Sequence, residues 1–217
     1  MAGKISQATP ITTLANGDLL DVSQDIGGGA YATKSISYQN LIAQLNSVIA
    51  DNRLFGLYAQ TVQSATVTNT TTETTVVGAG VGSLSVPADT FVVGDSYHGK
   101  VGGIISAQNG DSIEVHIKSG STVLASTGTI SLEAVTALGW ELELDFTIAA
   151  IGATGSMCTN GNFAYNRNTG SLEGFVFQDV EVIDTTVSNT LDITVTWGQA
   201  KTQDEIYSAN FVLYKTY

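Results

Sequence analysis

The sequence predicts a mainly-β protein, an antiparallel β-sandwich (jelly-roll-like) that follows a small N-terminal hairpin-plus-helix module. Two periodicities predict this architecture. Apolar side chains recur with a helical period before residue 58, and from Thr61 onward they alternate with polar side chains in the two-residue period of a strand. We therefore expect two domains, an anchoring and oligomerisation module at residues 1–58 and a sandwich at residues 59–217.

The first module is predicted from its turns and from one apolar stripe. An Asn-Gly turn at residues 16–17 and the glycines at residues 27–29 indicate a hairpin, and Ser37 suits the N-cap of a helix over residues 38–51. The stripe consists of Leu41, Ile42, Leu45, Val48 and Ile49. A module this small cannot bury the stripe alone. We expect the stripe to cover the sandwich, to meet copies of itself, or to dock on a larger particle.

Strands are predicted wherever apolar and polar side chains alternate. The pattern is clearest at residues 113–117, 140–148 and 191–197, and weaker at 74–77, 91–93, 100–106, 123–126, 129–132, 162–165, 174–181 and 208–217. Residues 66–75 are either a linker or an edge strand. About ten short strands separated by turns indicate a sandwich or jelly roll. Trp140 and Trp197 fall in register with aliphatic residues, so both are predicted to lie in the core.

The last strand is apolar on both of its faces. Phe211 and Leu213 point to one side, and Val212 and Tyr214 point to the other. Both faces of such a strand are expected to be covered. Either it lies in mid-sheet beneath a loop or the N-terminal module, or one face forms an interface between subunits.

Charge and hydropathy exclude several classes of protein. Eight Lys and Arg residues against twenty Asp and Glu residues give a net charge of -12, so we expect no nucleic-acid partner. The sequence lacks an apolar leader and a stretch of about 18 apolar residues, which predicts synthesis in a cytoplasm without membrane insertion. Charged residues make up 13% of the chain, against about 25% in ordinary domains. That composition favours a packed, long-lived assembly.

Sequence motifs for catalysis are absent. The chain contains no Gly-x-Ser-x-Gly elbow, phosphate-binding loop, His-Glu-x-x-His or Cys-x-x-Cys motif, so we expect no enzyme, cofactor or metal. His98 is predicted in a turn, and His116 on the polar face of a strand. Cys158, the only cysteine, cannot form a disulfide within one chain.

Two groups of acidic residues have both a functional and a structural interpretation. Asp18, Asp21 and Asp25 lie near the predicted hairpin, where carboxylates bind cations such as Ca²⁺, but their spacing fits solvated turn residues better. Glu141, Glu143 and Asp145 share one face of a strand. We interpret them as its solvated face rather than as a glycosidase pair.

Contact with another molecule is predicted in loops that combine aromatic rings with polar groups. The candidates for receptor contact are Tyr97, His98, Tyr165, Asn166 and Arg167.

Several segments carry a resemblance to known proteins. Residues 11–14, 18–22 and 34–41 resemble the short N-terminal modules of bacteriophage virion appendage proteins. Residues 94–103 and 191–217 are similar to jelly-roll tip or decoration domains of tailed-phage particles. The resemblance implies a homotrimer in the virion whose N-terminal part docks on other virion proteins while its sandwich projects outward.

The resemblance leaves the place in the particle open. The first alternative is a tail fibre or receptor-binding tip that touches a host surface glycan or protein. The second is a capsid decoration or head-fibre protein. A third hypothesis, from another class, is a cellular carbohydrate-binding module or a C1q/TNF-like ligand, against which the N-terminal module counts.

Overall fold

The computed structural model describes residues 19–27, 30–37, 39–41 and 56–217. The chain divides into two compact units, Met1–Arg53 and Leu54–Tyr217.

In the first unit, strands β1 (Leu19–Gly27) and β2 (Ala30–Ser37) form an antiparallel hairpin. Residues 39–41 are helical, and the backbone N–H of Asn40 donates to Ser37 Oγ at 3.2 Å. The hairpin and the capped start of the helix therefore occur where the sequence predicts them. Leu41 belongs to this helical turn, whereas the rest of the predicted stripe, Ile42, Leu45, Val48 and Ile49, lies outside the described residues.

The second unit contains fourteen strands. They are β3 (Tyr58–Gln60), β4 (Val67–Thr68), β5 (Thr74–Thr75), β6 (Gly80–Gly82), β7 (Ser85–Val86), β8 (Ser96–Ala107), β9 (Ser112–Ser119), β10 (Thr122–Ser126), β11 (Ile130–Ser131), β12 (Val135–Ala150), β13 (Gly155–Asn166), β14 (Leu172–Ile183), β15 (Asn189–Trp197) and β16 (Glu205–Lys215).

These strands form two antiparallel sheets. The larger sheet has the order β14-β13-β12-β8-β16-β3-β6, and β4 also pairs with β16. The smaller sheet has the order β10-β9-β15-β5, with β11 beside β9 and β7 beside β15. The two sheets pack as layers, which confirms the prediction of a mainly-β antiparallel sandwich.

The centre of the sandwich joins segments that are distant in sequence. β8 crosses to β9 in the other sheet, and β15 crosses back to β16. β9 pairs with β15, and β8 pairs with β16. The strands that border the core therefore meet only when chain segments distant in sequence come together, such as Ile193 with Ile117 and Ile206 with Ile105, which is typical of all-β folds.

Alternate side chains of the strands fill the space between the layers. Ile113, Val115 and Ile117 of β9 and Leu142 and Leu144 of β12 are fully buried. Trp140 and Trp197 are buried as well, so the prediction that both belong to the core is confirmed.

One inward glycine makes room for an aromatic ring. A Cβ atom at Gly161 would lie 2.2 Å from Cζ of Phe177. The ring from the neighbouring strand occupies the volume that the glycine leaves free.

Strand prediction succeeded where the alternation was long and failed where the elements were short. The predicted strand at residues 91–93 is wrong, because Val92 and Asp95 close a turn in which the N–H of Val92 donates to Asp95 Oδ2. Strands β3, β4, β6 and β7 span two or three residues each and show no readable period. Residues 66–75 contain β4 and β5, which pair along the margins of the two sheets.

The second unit begins before residue 58, so the predicted boundary between residues 58 and 59 falls inside β3. The N–H of Leu57 donates to the carbonyl of Leu213 at 2.7 Å. The buried ring of Tyr58 packs against Phe211 with 5.6 Å between ring centroids, and its hydroxyl donates to the carbonyl of Gly78.

We expect a chain without residues 1–53 to keep the sandwich and its resistance to urea. Removing residues 1–60 instead takes away β3 and the Tyr58 ring, and should lower the free energy of unfolding by roughly 3–5 kcal/mol. Fluorescence of the two buried tryptophans follows the urea unfolding of both truncated chains. Equal stability of the two truncated chains would contradict the assignment of β3 to the core.

Candidate functional site

A groove of about 430 Å³ lies on the outer face of the larger sheet. It crosses three neighbouring strands, β12, β8 and β16. Its lining consists of His98, Lys100, Gly102, Gly103, Trp140, Glu141, Asn210, Val212 and Tyr214.

The strand register arranges the outward side chains of β12, β8 and β16 in three rows. The rows are Asp145-His98-Tyr214, Glu143-Lys100-Val212 and Glu141-Gly102-Asn210. Because side chains two residues apart on a strand share one face, each strand supplies one member to every row. The same alternation that buries the core side chains therefore presents these polar ones to solvent.

Glycines and a bulge shape the floor of the groove. Gly102 leaves the third row without a central side chain, and a Cβ atom at Gly103 would lie 1.9 Å from the carbonyl oxygen of Tyr207. The register of β16 shifts between Ser208 and Asn210, as in a β-bulge. The indole Nε1 of Trp140 donates to the carbonyl of Tyr207 at 3.0 Å and holds the backbone there.

Charges in and beside the groove are paired, with acidic groups in excess. Lys100 Nζ lies 2.8 Å from Glu141 and 3.0 Å from Glu143, and the hydrogen bonds raise the pKa of Lys100 and lower that of Glu143. His98 Nδ1 lies 2.8 Å from Asp145 Oδ1. Glu141, Lys100 and His98 line the groove, and Glu143 and Asp145 lie beside it on β12. The three carboxyl groups in and beside the groove outnumber the lysine and the histidine, so they favour a neutral or cationic ligand over an anion.

The groove also combines an aromatic ring with an aliphatic surface. The ring of Tyr214 lies 5.2 Å from the His98 ring, and both Tyr214 and Val212 are partly exposed. With the Asn210 amide beside them, the site offers apolar contact next to hydrogen-bond donors and acceptors, a common composition for ligand sites.

The structure separates the predicted receptor-contact residues. Tyr97 and Tyr165 are expected as loop residues, which is wrong for both, although the predicted strand at residues 162–165 includes Tyr165. Tyr97 stacks on Phe146 at 4.8 Å, and the Tyr165 hydroxyl donates to Glu173 at 2.5 Å. Burial raises the pKa of both phenols. Both residues occupy inward positions of β8 and β13, where the pleat directs them to the core.

His98 and the pair Asn166 and Arg167 lie in different places. His98 belongs to β8 rather than to a turn, and it lines the groove. Asn166 ends β13, and Arg167 follows it and binds Glu133 at 2.6 Å. Their role in receptor contact stays a prediction.

The C-terminal strand lies in mid-sheet, whereas the predicted cover over its outer face and the predicted interface between subunits stay predictions. β16 pairs with β8 on one side and with β3 and β4 on the other. Phe211 and Leu213 are buried, whereas Val212 and Tyr214 face the groove. The sequence predicted the two faces of this strand but not the polar rows beside its outer face.

The smaller sheet carries a polar cluster centred on Glu73. Its carboxylate accepts hydrogen bonds from His116 at 2.8 Å, from Lys118 at 2.9 Å and from Thr194 at 2.6 Å. These bonds lower the pKa of Glu73 to about 2. His116 also contacts Glu114 at 3.0 Å. Because the members bind one another, we interpret this cluster as part of the fold.

A second cluster, the carboxyl pair of Asp111 and Asp204, lies where β8 ends and β16 begins. Both residues are buried, and Lys201 binds Asp111. Burial and the neighbouring Asp111 raise the pKa of Asp204 to about 6. Burial would also raise the pKa of Asp111, but hydrogen bonds from Lys201 and Asp204 outweigh it, so that pKa is lowered. Such values are typical of two carboxyl groups that share a proton.

The cation hypothesis for the first unit stays untested. Asp18 lies outside the described residues, and Asp21 and Asp25 belong to β1. Within the described ranges, no group of three or more histidine, cysteine or acidic residues is arranged to hold a metal ion. In the same part of the chain, no helix is long and apolar enough to span a membrane.

Comparison of the chain with protein-family models, with curated proteins and with solved structures gives no match.

The carboxyl pair predicts how stability depends on pH. Because the pKa of Asp204 is higher in the folded state than in the unfolded chain, the protein loses stability as the pH rises from about 4 to about 6. Asp204→Asn removes this loss. Relative to the unsubstituted protein, we expect it to gain roughly 1–3 kcal/mol between pH 4 and about pH 7.5.

Urea unfolding at the two pH values measures this difference. Asp179→Asn, an exposed position on β14, is the matched control and should behave like the unsubstituted protein. An Asp204→Asn variant that followed the same pH profile as that control would rule out a shared proton.

Proposed function

We propose that the chain is a non-enzymatic structural protein of a tailed-phage particle, a homotrimeric tail fibre or receptor-binding appendage. Its N-terminal module docks on other virion proteins, and its sandwich contacts the host surface. The resemblance of both parts of the chain to virion appendages supports its place in a phage particle. The groove on the larger sheet supports contact with the host surface. The groove is the observation on which the proposal of host recognition depends.

The chemistry of the groove favours a neutral saccharide as the host ligand. A sugar ring has an apolar face of C–H groups and a rim of hydroxyls that both donate and accept hydrogen bonds. Tyr214 and Val212 offer apolar contact, while Asn210 and Glu141 offer a donor and acceptors within the same groove. The excess of carboxylates disfavours sialylated or phosphorylated glycans, because like charges repel at short range.

A specific observation favours the alternative of a capsid decoration or head-fibre protein. Lys100 already binds two glutamates, and His98 binds Asp145. Polar groups that are satisfied by one another need no external ligand. In that alternative the three rows stabilise the sheet face of a shell protein, and the groove binds nothing.

The cellular hypothesis, a carbohydrate-binding module or a C1q/TNF-like ligand, also assigns binding to the groove, but it does not place the chain in a virus particle. Saccharide binding by itself therefore does not separate it from the appendage hypothesis. Finding the chain in purified particles does.

Saccharide binding is tested by removing the aromatic ring of the groove. We expect the chain to bind neutral glycans and host cells, and Tyr214→Ala to weaken that binding about fivefold to thirtyfold, since stacking and apolar contact on one ring contribute about 1–2 kcal/mol. Tyr217→Ala removes a more exposed tyrosine that does not line the groove, so it is a matched control.

A glycan array followed by calorimetry on the three proteins provides the measurement. Binding that prefers sialylated glycans, or binding that Tyr214→Ala leaves unchanged, would contradict recognition at the groove. Absence of binding combined with many copies on the capsid would favour decoration.

The anchoring role is tested in particles. We expect the full chain to be incorporated and the chain without residues 1–53 to be folded but absent from purified particles, because docking is assigned to the first unit. Electron microscopy of labelled particles locates the chain on tail or capsid. Incorporation of the truncated chain at the normal level would refute anchoring by the N-terminal module.

A further inference from the structure

Strands β13 and β14 form one margin of the larger sheet, and the chemistry of this margin differs from that of the groove. In the part of the chain that the structure describes, β14 pairs with β13 alone. All twelve residues of β14 pair with β13 without a register shift. The strand is about 40 Å long at roughly 3.4 Å per residue. Long, regular edges of this kind are the places where sheets associate.

The outer side of these two strands is uncharged, and we call it the β13–β14 face. On β14 it consists of Leu172, Gly174, Val176, Gln178, Val180 and Val182, and on β13 of Ser156, Cys158, Asn160, Asn162, Ala164 and Asn166. Val176 is 83% exposed, and Leu172, Val180 and Val182 are each more than half exposed. Four large aliphatic side chains on one strand form an exposed stripe rather than scattered surface residues.

The acidic residues of β14 alternate with this stripe and point away from it. Glu173, Asp179 and Glu181 occupy the opposite parity, where Glu173 binds Tyr165. The next charged side chains on the outer face are those of β12, beyond the row of short side chains on β13. An uncharged strip therefore separates the groove from the edge of the sheet.

This distribution of charge identifies the partner. The chain carries a net charge of -12, so two copies repel each other wherever their acidic surfaces meet. The β13–β14 face lets identical copies approach without opposing carboxylates, and it offers each of them apolar surface to bury. A basic partner would instead gain most from the acidic faces elsewhere.

We propose that the β13–β14 face is the surface on which a second copy of the chain binds. The inference rests on the proposed self-association and gives it a location. That location differs from the C-terminal strand, whose outer residues Val212 and Tyr214 lie among the charged rows of the groove. Packing through the β13–β14 face leaves the groove open in each subunit.

The test places charge at the centre of the stripe. Val176→Asp with Val180→Asp puts two carboxylates into each copy of the face and should convert the oligomer to a monomer at about 10 μM. Val81→Asp is the matched control, because Val81 is a 61% exposed valine of β6 at the other edge of the same sheet. Light scattering measures the mass of each protein, and urea unfolding checks that each is folded.

Cys158 is a built-in reporter of the same contact. It is the only cysteine of the chain, it is half-buried in the single subunit, and it pairs with Val180 across the strands. A thiol reagent should modify the double variant at least about tenfold faster than the unsubstituted protein or the Val81→Asp control. In the unsubstituted protein the rate should rise on dilution, as copies dissociate.

Each outcome decides the proposal. A double variant that is monomeric and reactive at Cys158, beside an oligomeric control, supports it. An oligomer that persists in the double variant refutes this face and leaves self-association intact, whereas a monomeric unsubstituted protein refutes both. Val176→Thr with Val180→Thr keeps the branched shape of the side chains and should also weaken association. This second variant tests the proposal even when the two aspartates prevent folding. Glycan binding is measured in a separate experiment, so a failure of the proposed glycan recognition is distinguished from a failure of this interface.

Discussion

Burial of the inward side chains of two antiparallel sheets is the interaction on which the rest of the structure depends. Residues such as Ile113 and Val115 from the smaller sheet and Leu142, Leu144 and Phe211 from the larger one are removed from water. Each such side chain contributes about 1.5–3 kcal/mol. The chain has one cysteine and therefore no intramolecular disulfide, so this layer of apolar contact carries most of the stability.

The same constraint determines the outer faces. Every residue committed to the core leaves its neighbours on the opposite side of the strand, and a slip of one residue in β8 or β16 would turn Lys100 and Tyr214 inward. The positions of the groove side chains are therefore set by the same register as those of the core side chains. Gly102, Gly103 and the bulge of β16 then lower its floor. Core and candidate site are two consequences of one strand register.

The outer surface of the larger sheet is divided by chemistry. Paired charges cover the outer side of β12 and β8 beside the uncharged groove residues of β16, and an uncharged strip covers β13 and β14. In our two proposals the first zone binds a ligand and the second binds copies of the chain, since the second presents no charged side chain. The Glu73 cluster and the pair of Asp111 and Asp204 belong to neither zone, because their polar groups bind one another within the fold.

Period-two alternation is a local property of a strand, and the sequence by itself determined which residues face inward. It placed Trp140 and Trp197 in the core and separated Phe211 from Val212. It could not tell that Tyr97 lies on a strand, since the segment around Tyr97 reads equally well as a turn. Very short strands such as β3 contain too few residues to show any period.

Only the tertiary structure decided which strands are neighbours. The contact of His98 with Asp145 spans 47 residues, and that of Glu73 with Thr194 spans 121. Neither pair has a signal in the sequence. The physical reason is that alternation is set by the geometry of one strand, whereas pairing is set by backbone hydrogen bonds and packing between distant segments, which become favourable only when the whole sandwich closes.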